Sequence, residues 1–238
     1  MRLDKLVTGA GLSRSEAKKA IRDGRVAENG IAVRDPSVNA DGRSFTLDGK
    51  PLFPAGHITL LLNKPAGIVS ATRDGKYDDL YKLLPEEVVR RKPGPCGRLD
   101  KDVTGVMLMT TDGQLAHRII SPSRGIEKVY EARVEGRIDP ESVRRMEEGI
   151  AFKDYTSKPA EVTVLEAGDG ESLIRIAVTE GKYHEVKKIC AAVGHGVIAL
   201  KRVEEAGICL GDLREGEWRY LTEDETDALM KKVGLKDE

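Results

Sequence analysis

Three cysteines, Cys96, Cys190 and Cys209, are all this 238-residue chain has, and none stands in a CxxC pair. A disulfide framework or a structural zinc site needs closer and more numerous ligands, so reduced thiols in or near the core are expected. Histidine is equally sparse. His57, His117, His184 and His195 show no metal-ligand spacing, and the His-Glu of "YHEVKK" has Lys188 where a zinc-protease helix would carry its second histidine. No apolar run reaches eighteen residues, which removes a membrane span. The opening "MRLDKLVTG" lacks the apolar segment and small-residue cleavage site of a secretory signal, so a cytoplasmic chain is expected. There is no P-loop and no GxGxxG after a strand, hence no sign of a nucleotide or dinucleotide cofactor.

Net charge is also nearly missing, at -1 from 39 basic and 40 acidic residues. The balance is local, however. Residues 1–34 hold eight basic residues (Arg2, Lys5, Arg14, Lys18, Lys19, Arg22, Arg25, Arg34) against four acids, a surplus of +4. A polyanion meets the local field, because salt screens over about 8 Å at physiological ionic strength.

A hydrophobic fraction of 39% suffices for a real core, and the length suits an ordinary domain plus a small one. The N-terminal stretch reads as a helical unit followed by a hairpin. Leu3, Leu6 and Val7 have helical spacing. Ser13 and Glu16 form a capping box for a second helix that stops at Gly24, with Ala17, Ala20 and Ile21 as its apolar face. That leaves Arg14, Lys18, Lys19 and Arg22 for solvent or a partner. Asn29-Gly30 between alternating runs predicts a hairpin, "SFTLDG" another strand, and "PLFPAGH" a linker. The domain boundary is placed near residue 57, giving units 1–57 and 58–238.

In the second unit "HITLLLN", "GVMLMT", "EKVYEARVEG", "AEVTVLE", "LIRIAVTEG", "HGVIAL", "GICLGDL" and "EWRYLT" read as strands. "PESVRRMEEG", "KYHEVKKICAAVG" and "EDETDALMKK" read as helices. Many strands without regular strand–helix alternation predict an α+β fold with a mixed, mainly antiparallel sheet. Tyr130, Ala132 and Val134 share one strand face. On the helix around Lys187, Val186, Ile189, Cys190 and Val193 face the core and Lys188 faces water. Lys187 lies at the border, where its stem can follow buried surface while the ammonium reaches a cleft.

"GRLDKDVTGVMLMTTDG" sets Arg98 and Asp100 on a turn ahead of an apolar strand. On this pattern alone Asp100 is open to four readings: a cap, a metal ligand, one side of a structural ion pair, or an attacking carboxylate. Tyr130 alone reads as a half-buried strand residue, Lys187 as a solvated helix residue and Arg98 as a surface ion-pair residue.

The order of motifs, from "RLDKLVTGAGLSRSEAKKAIRDGRVAENGIAV" through "LLLNKPAGIVS", "GRLDKDVTGVMLMTTDG" and "EKVYEARVEG" to "EGKYHEVKKICAAVGHGVIALKR", resembles the small-subunit ribosomal RNA pseudouridine synthases nearly end to end. The resemblance implies a small S4 RNA-binding domain followed by a catalytic domain. It implies Asp100 as catalytic aspartate, Tyr130 as stacking tyrosine and Lys187 as the basic partner of the aspartate. Where relatives often have Gln-Ile-Arg or Gln-Val-Lys, this chain has Glu185-Val186-Lys187, a carboxylate expected to weaken local attraction for RNA. "KYHEVKK" resembles the small-subunit version more than the "NRQVRR" of large-subunit enzymes.

The implied reaction breaks the N1–C1′ bond of a uridine, turns the uracil and joins C5 to C1′. No electrons are exchanged and no group is brought in, so neither metal nor cofactor is expected. An ionised carboxylate attacks C1′ to give a glycosyl ester, or removes the 2′ proton to leave a glycal. A lysine nearby favours the charged carboxylate, and a tyrosine offers a ring and a hydroxyl to the uracil. The target must leave its stack, and Arg98 is placed to fill the vacated position or clamp a phosphate. Phosphate contacts are assigned to Arg14, Lys18, Lys19 and Arg22, with Arg2, Lys5 and Arg25 at the edges. The expected partner is ribosomal RNA, free or in a partly assembled small subunit, and a monomer is the default. The rivals are a large-subunit enzyme, a catalytically silent S4-type assembly protein, and a glycoside hydrolase. The last is disfavoured because "RLDKD" offers no separated carboxylate pair.

Overall fold

The structure is a computed structural model that describes residues 1–41, 43–52, 56–72 and 74–236. The expected linker "PLFPAGH" falls partly outside the described residues, at positions 53–55.

Helices α1 (Leu3–Thr8) and α2 (Arg14–Arg22) pack over a four-stranded sheet of order β2-β1-β3-β4, made of β1 (Val26–Glu28), β2 (Ile31–Ala32), β3 (Phe45–Leu47) and β4 (Lys50–Pro51). Helix α2 begins where expected. Ser13 accepts from the Glu16 backbone N–H while the Glu16 carboxylate accepts from the Ser13 N–H, which satisfies two donors the helix cannot pair itself. The β1–β2 turn is Asn29-Gly30 with φ of 49° and 80°, the left-handed pair that a two-residue hairpin requires. Leu3, Leu6, Val7, Ala17, Ile21, Val26 and Phe45 close a small core of their own.

A nine-stranded sheet forms the rest. Its strands are β5 (Thr59–Lys64), β6 (Gly94–Pro95), β7 (Thr104–Thr110), β8 (Lys128–Glu135), β9 (Glu161–Ala167), β10 (Glu171–Val178), β11 (Val197–Glu205), β12 (Ile208–Cys209) and β13 (Trp218–Tyr220). The order is β13-β5-β7-β11-β8-β10-β9, with β6 beside β7 and β12 beside β11. The β7–β11 pair is parallel and the others are antiparallel, so the sheet is mixed and mainly antiparallel as expected. The helices are α3 (Glu86–Arg90), α4 (Gly113–Ile120), α5 (Pro140–Glu148), α6 (Glu185–Ala192) and α7 (Glu223–Lys232).

Strands β5 and β7 are buried on both faces, which is why they read as continuous apolar runs. Leu60, Leu62, Met107 and Met109 join one core with Ile189 of α6 and Met146 of α5. Leu61, Val106 and Leu108 join the other with Leu115 of α4 and Leu229 of α7. Cys96 and Cys190 lie buried in these layers and Cys209 is exposed.

Several features differ from the sequence reading, among them the short helix α3, for which no element is expected. Residues 113–120, where the sequence pattern predicts no element, form α4, capped by an Asp112 carboxylate that accepts from Gln114 and Leu115 N–H groups. The strand expected at "HGVIAL" runs on to Glu205, through the charged stretch Lys201–Glu205, because β7 and β8 pair with it from both sides. The parallel contact is very close. A Cβ on Gly105, whose φ is +109°, would come within 2.1 Å of the Arg202 carbonyl oxygen. Only glycine lets β11 approach β7 so nearly.

Candidate active site

The loop carrying Asp100 joins β6 to β7 and is tied down from three directions. The Ser70 hydroxyl accepts from the Leu99 N–H at 2.9 Å and donates to the Leu99 carbonyl at 2.6 Å. The Gly67 N–H donates to the Lys101 carbonyl at 2.8 Å. From the end of β5, the fully buried Lys64 ammonium donates to the carbonyls of Val103 (2.8 Å), Pro65 (3.0 Å) and Lys101 (3.4 Å). Burial lowers the Lys64 pKa to about 8. Leu99 is turned into the core, which leaves the neighbouring Asp100 facing outward.

Asp100 lines a cleft of about 450 Å³ together with Arg98, Tyr130, His184, Lys187 and Arg202. Its carboxylate is 27% exposed, open enough for a ligand and enclosed enough to be oriented. The Lys187 ammonium lies 3.1 Å from Oδ2 and the His184 Nε2 3.3 Å from Oδ1, so each oxygen has its own basic neighbour. Lys187 sits at the edge of the α6 apolar stripe as expected, half-buried, while Lys188 is exposed. The lysine is shared: it also donates to both oxygens of Asp102 at 2.9 Å. Burial works to lower the Lys187 pKa, but hydrogen bonds to Asp102 and Asp100 outweigh it and raise the net value. The bond from Lys187 holds the Asp102 carboxyl below its ordinary value, against its own partial burial.

Tyr130 projects from β8 to the same cleft and is buried among Ala132, Val134 and Ile176. Burial pushes its phenol above the ordinary value. Arg98 is exposed at the cleft wall. The residues predicted from sequence for chemistry, Asp100, Tyr130 and Lys187, therefore meet at one place.

Glu185 begins the same helix as Lys187. It is buried at the cleft wall and accepts from the backbone N–H groups of Gly181 (2.7 Å) and Lys182 (3.3 Å), so its carboxylate is tied to its own loop. Burial raises its pKa, against those two bonds. His184 heads α6 with φ of 53°, a left-handed conformation uncommon outside glycine, and its ring stacks on Tyr183 with centroids 3.7 Å apart.

None of the N-terminal basic residues lines this cleft. Arg14, Lys18, Lys19 and Arg22 are exposed on α2 and, among the described residues, form no ion pair. The three edge residues are engaged. Arg2 pairs with Asp4 at 3.2 Å, Lys5 with Glu223 at 2.8 Å, and Arg25 with Asp48.

Residues 58–192 match the RNA pseudouridylate synthase family, and residues 1–42 match the S4 domain. The chain belongs to the RNA pseudouridylate synthase family. Ribosomal small subunit pseudouridine synthase A of Escherichia coli K12 is 38% identical to this synthase over 232 residues, covering 94% of this chain and 98% of its own. Ribosomal large subunit pseudouridine synthase B of Bacillus subtilis is 34% identical over 236 residues, covering 96% and 95% respectively. A crystal structure of a pseudouridylate synthase superposes with a TM-score of 0.67 at 33% identity, over 96% of this chain and 99% of that one. No helix of the described residues is long and apolar enough to cross a membrane.

Residues that sequence reasoning missed are His184, Asp102, Lys64, Ser70 and Arg202. A signal existed for Lys64, which directly follows the buried run of β5. None existed for Arg202, which lies in the largely charged stretch "KRVEE".

Proposed function

We propose that this synthase converts a uridine of small-subunit ribosomal RNA to pseudouridine, with Asp100 as the catalytic carboxylate. The observation that carries the reading is the Asp100 carboxylate standing open to a cleft, with Lys187 and His184 on separate oxygens and Tyr130 in the same wall. Whether the carboxylate attacks C1′ or takes the 2′ proton, it must reach the ribose from a fixed direction, and two basic neighbours hold it there. Lys187 positions the carboxylate and Tyr130 packs against the uracil. Arg98, exposed at the rim, takes the place of the extruded nucleotide or clamps its phosphate. The reaction balances without another reactant: the N1–C1′ bond breaks, the C5–C1′ bond forms, C5 loses a proton and N1 gains one.

The basic face of α2 grips the RNA backbone, which orients the substrate without reading its bases. The small-subunit assignment rests on the "KYHEVKK" stretch and on the small-subunit relative. The protein acts as a cytoplasmic monomer. The test is to map pseudouridine in both ribosomal RNAs, naked and partly assembled, after incubation with the wild type. A single new pseudouridine in the small-subunit RNA supports the reading. Modification confined to large-subunit RNA would move the target, and no modification of either would remove the assignment.

A further inference from the structure

The rim of the cleft carries an aromatic side chain that the reaction so far leaves without a role. Tyr183 lines the same cleft as Asp100 and is 69% exposed. A lone exposed tyrosine is ordinary on a protein surface. This one is set apart by how firmly it is held. Its ring stacks on the His184 imidazole, with centroids 3.7 Å and planes 20° apart. His184 Nε2 in turn lies 3.3 Å from Asp100 Oδ1, so phenol ring, imidazole and carboxylate form one continuous row. The loop beneath is fixed as well. His184 adopts its left-handed backbone conformation, and the buried Glu185 carboxylate accepts from the Gly181 N–H at 2.7 Å and the Lys182 N–H at 3.3 Å. Ordering a loop costs backbone entropy and enclosing a carboxylate costs hydration, so the fold gains little by fixing a ring that it then leaves in water.

His184 covers one face of that ring. The Lys188 ammonium also stands over the ring, 5.2 Å from its centroid. Lys188 is exposed and makes no ion pair among the described residues, so nothing hinders it from swinging aside. The Tyr183 hydroxyl makes no hydrogen bond among the described residues. What the residue presents is therefore a flat ring face beside a movable cation. A nucleobase and its phosphate match that pair: the base stacks on the ring and the phosphate takes the ammonium.

We propose that Tyr183 is a stacking platform for the base adjacent to the extruded uridine, with Lys188 moving from the ring to a phosphate of that nucleotide. The inference rests on the pseudouridine synthase reading and deepens it to the form of the substrate, a uridine whose neighbour is unpaired. Extruding a uridine takes a stacking partner away from the bases beside it. A ring already fixed at the cleft mouth, joined to Asp100 through His184, replaces that partner without having to be ordered on binding. Every base has a π face, so the platform adds affinity for the opened strand without selecting its sequence.

The experiment uses RNA fragments spanning the uridine at which the wild type forms pseudouridine, either intact or with an abasic nucleotide immediately 5′ or immediately 3′ of it. Enzyme is titrated under single-turnover conditions. On the intact fragment Tyr183→Leu should raise the enzyme concentration for half-maximal rate about 10-fold and leave the maximal rate within about 2-fold. Tyr183→Phe, which keeps the ring, should match the wild type. With one of the two abasic fragments the wild type should weaken by a similar factor of about 10, and Tyr183→Leu should show no further loss, a coupling that a merely structural tyrosine does not produce. A Tyr183→Leu enzyme that matches the wild type or loses only maximal rate, a Tyr183→Phe enzyme as weak as Tyr183→Leu, or abasic losses equal in wild type and Tyr183→Leu would overturn this inference alone. A wild type that forms no pseudouridine in either ribosomal RNA would overturn the functional reading, and this inference with it.

Discussion

The basic residues of α2 and those of the cleft differ in what holds them. Arg14, Lys18, Lys19 and Arg22 stand in water with no ion pair among the described residues, whereas Lys187 is shared between two carboxylates and Arg202 is buried against Glu205. Unpaired exposed cations contribute little to the fold and are available to a polyanion, whose counterions they release. Paired and enclosed cations cannot grip a backbone but can fix a neighbouring atom. On the proposed function the N-terminal unit would supply affinity and the cleft direction.

This contrast breaks most sharply at Asp100. Asp100→Asn keeps the size of the side chain and should leave no detectable product, with RNA binding and the melting temperature near those of the wild type. Lys187→Met should slow single-turnover chemistry on the order of 100-fold, the size of a misplaced reacting group, while RNA affinity changes little. A near-normal rate for that variant would make Lys187 an ordinary surface lysine.

On the α2 side the effects are smaller and of another kind. Joint Lys18→Ala and Lys19→Ala substitution should flatten the slope of log affinity against log salt by about 1–2 and leave the rate on bound RNA intact. An unchanged slope across a salt titration would mean that α2 does not meet the phosphates. Lys5 belongs with the paired residues despite its N-terminal position. Lys5→Ala should cost under about 1 kcal/mol of stability in a denaturant titration, because its pair with Glu223 is exposed.

The smallest expected effect concerns pH. The bond from Lys187 lowers the Asp102 pKa, so the unfolded chain binds that proton more readily than the folded one. The stabilisation is full above the ordinary value of 3.8 and disappears as pH falls through the lower folded value. The stability difference between wild type and Asp102→Asn should therefore shrink on acidification, as urea melts at a series of pH values will read.

Much of this was legible in the residues. The Ser13–Glu16 capping box, the Asn29-Gly30 turn and the apolar runs of β5 and β7 carry local signals that tertiary structure did not override. Lys187 could be placed at a helix border from its spacing. Charged residues inside a strand could not be oriented in this way. "LKRVEE" looks like a solvated stretch, and Arg202 and Glu205 turn inward only because β11 is sandwiched between β7 and β8. The burial of Glu185 was hidden for a related reason: it follows from two backbone N–H groups in the preceding loop, a partnership that composition does not announce. His184 reached Asp100 through a left-handed backbone conformation, which local pattern assigns to glycine before histidine. The pairing of Lys5 and Arg25 with acids was hidden as well, since Glu223 is 218 positions from Lys5 and Asp48 is 23 from Arg25.

Joining C5 of the uracil to C1′ expels the C5 hydrogen, so release of tritium from 5-tritiated uridine in small-subunit ribosomal RNA follows the chemistry itself. The wild type should release tritium at the pace of pseudouridine formation, and a folded, RNA-binding Asp100→Asn protein should release none. Tritium released by that variant at a rate close to the wild type's would contradict the role given to the Asp100 carboxylate.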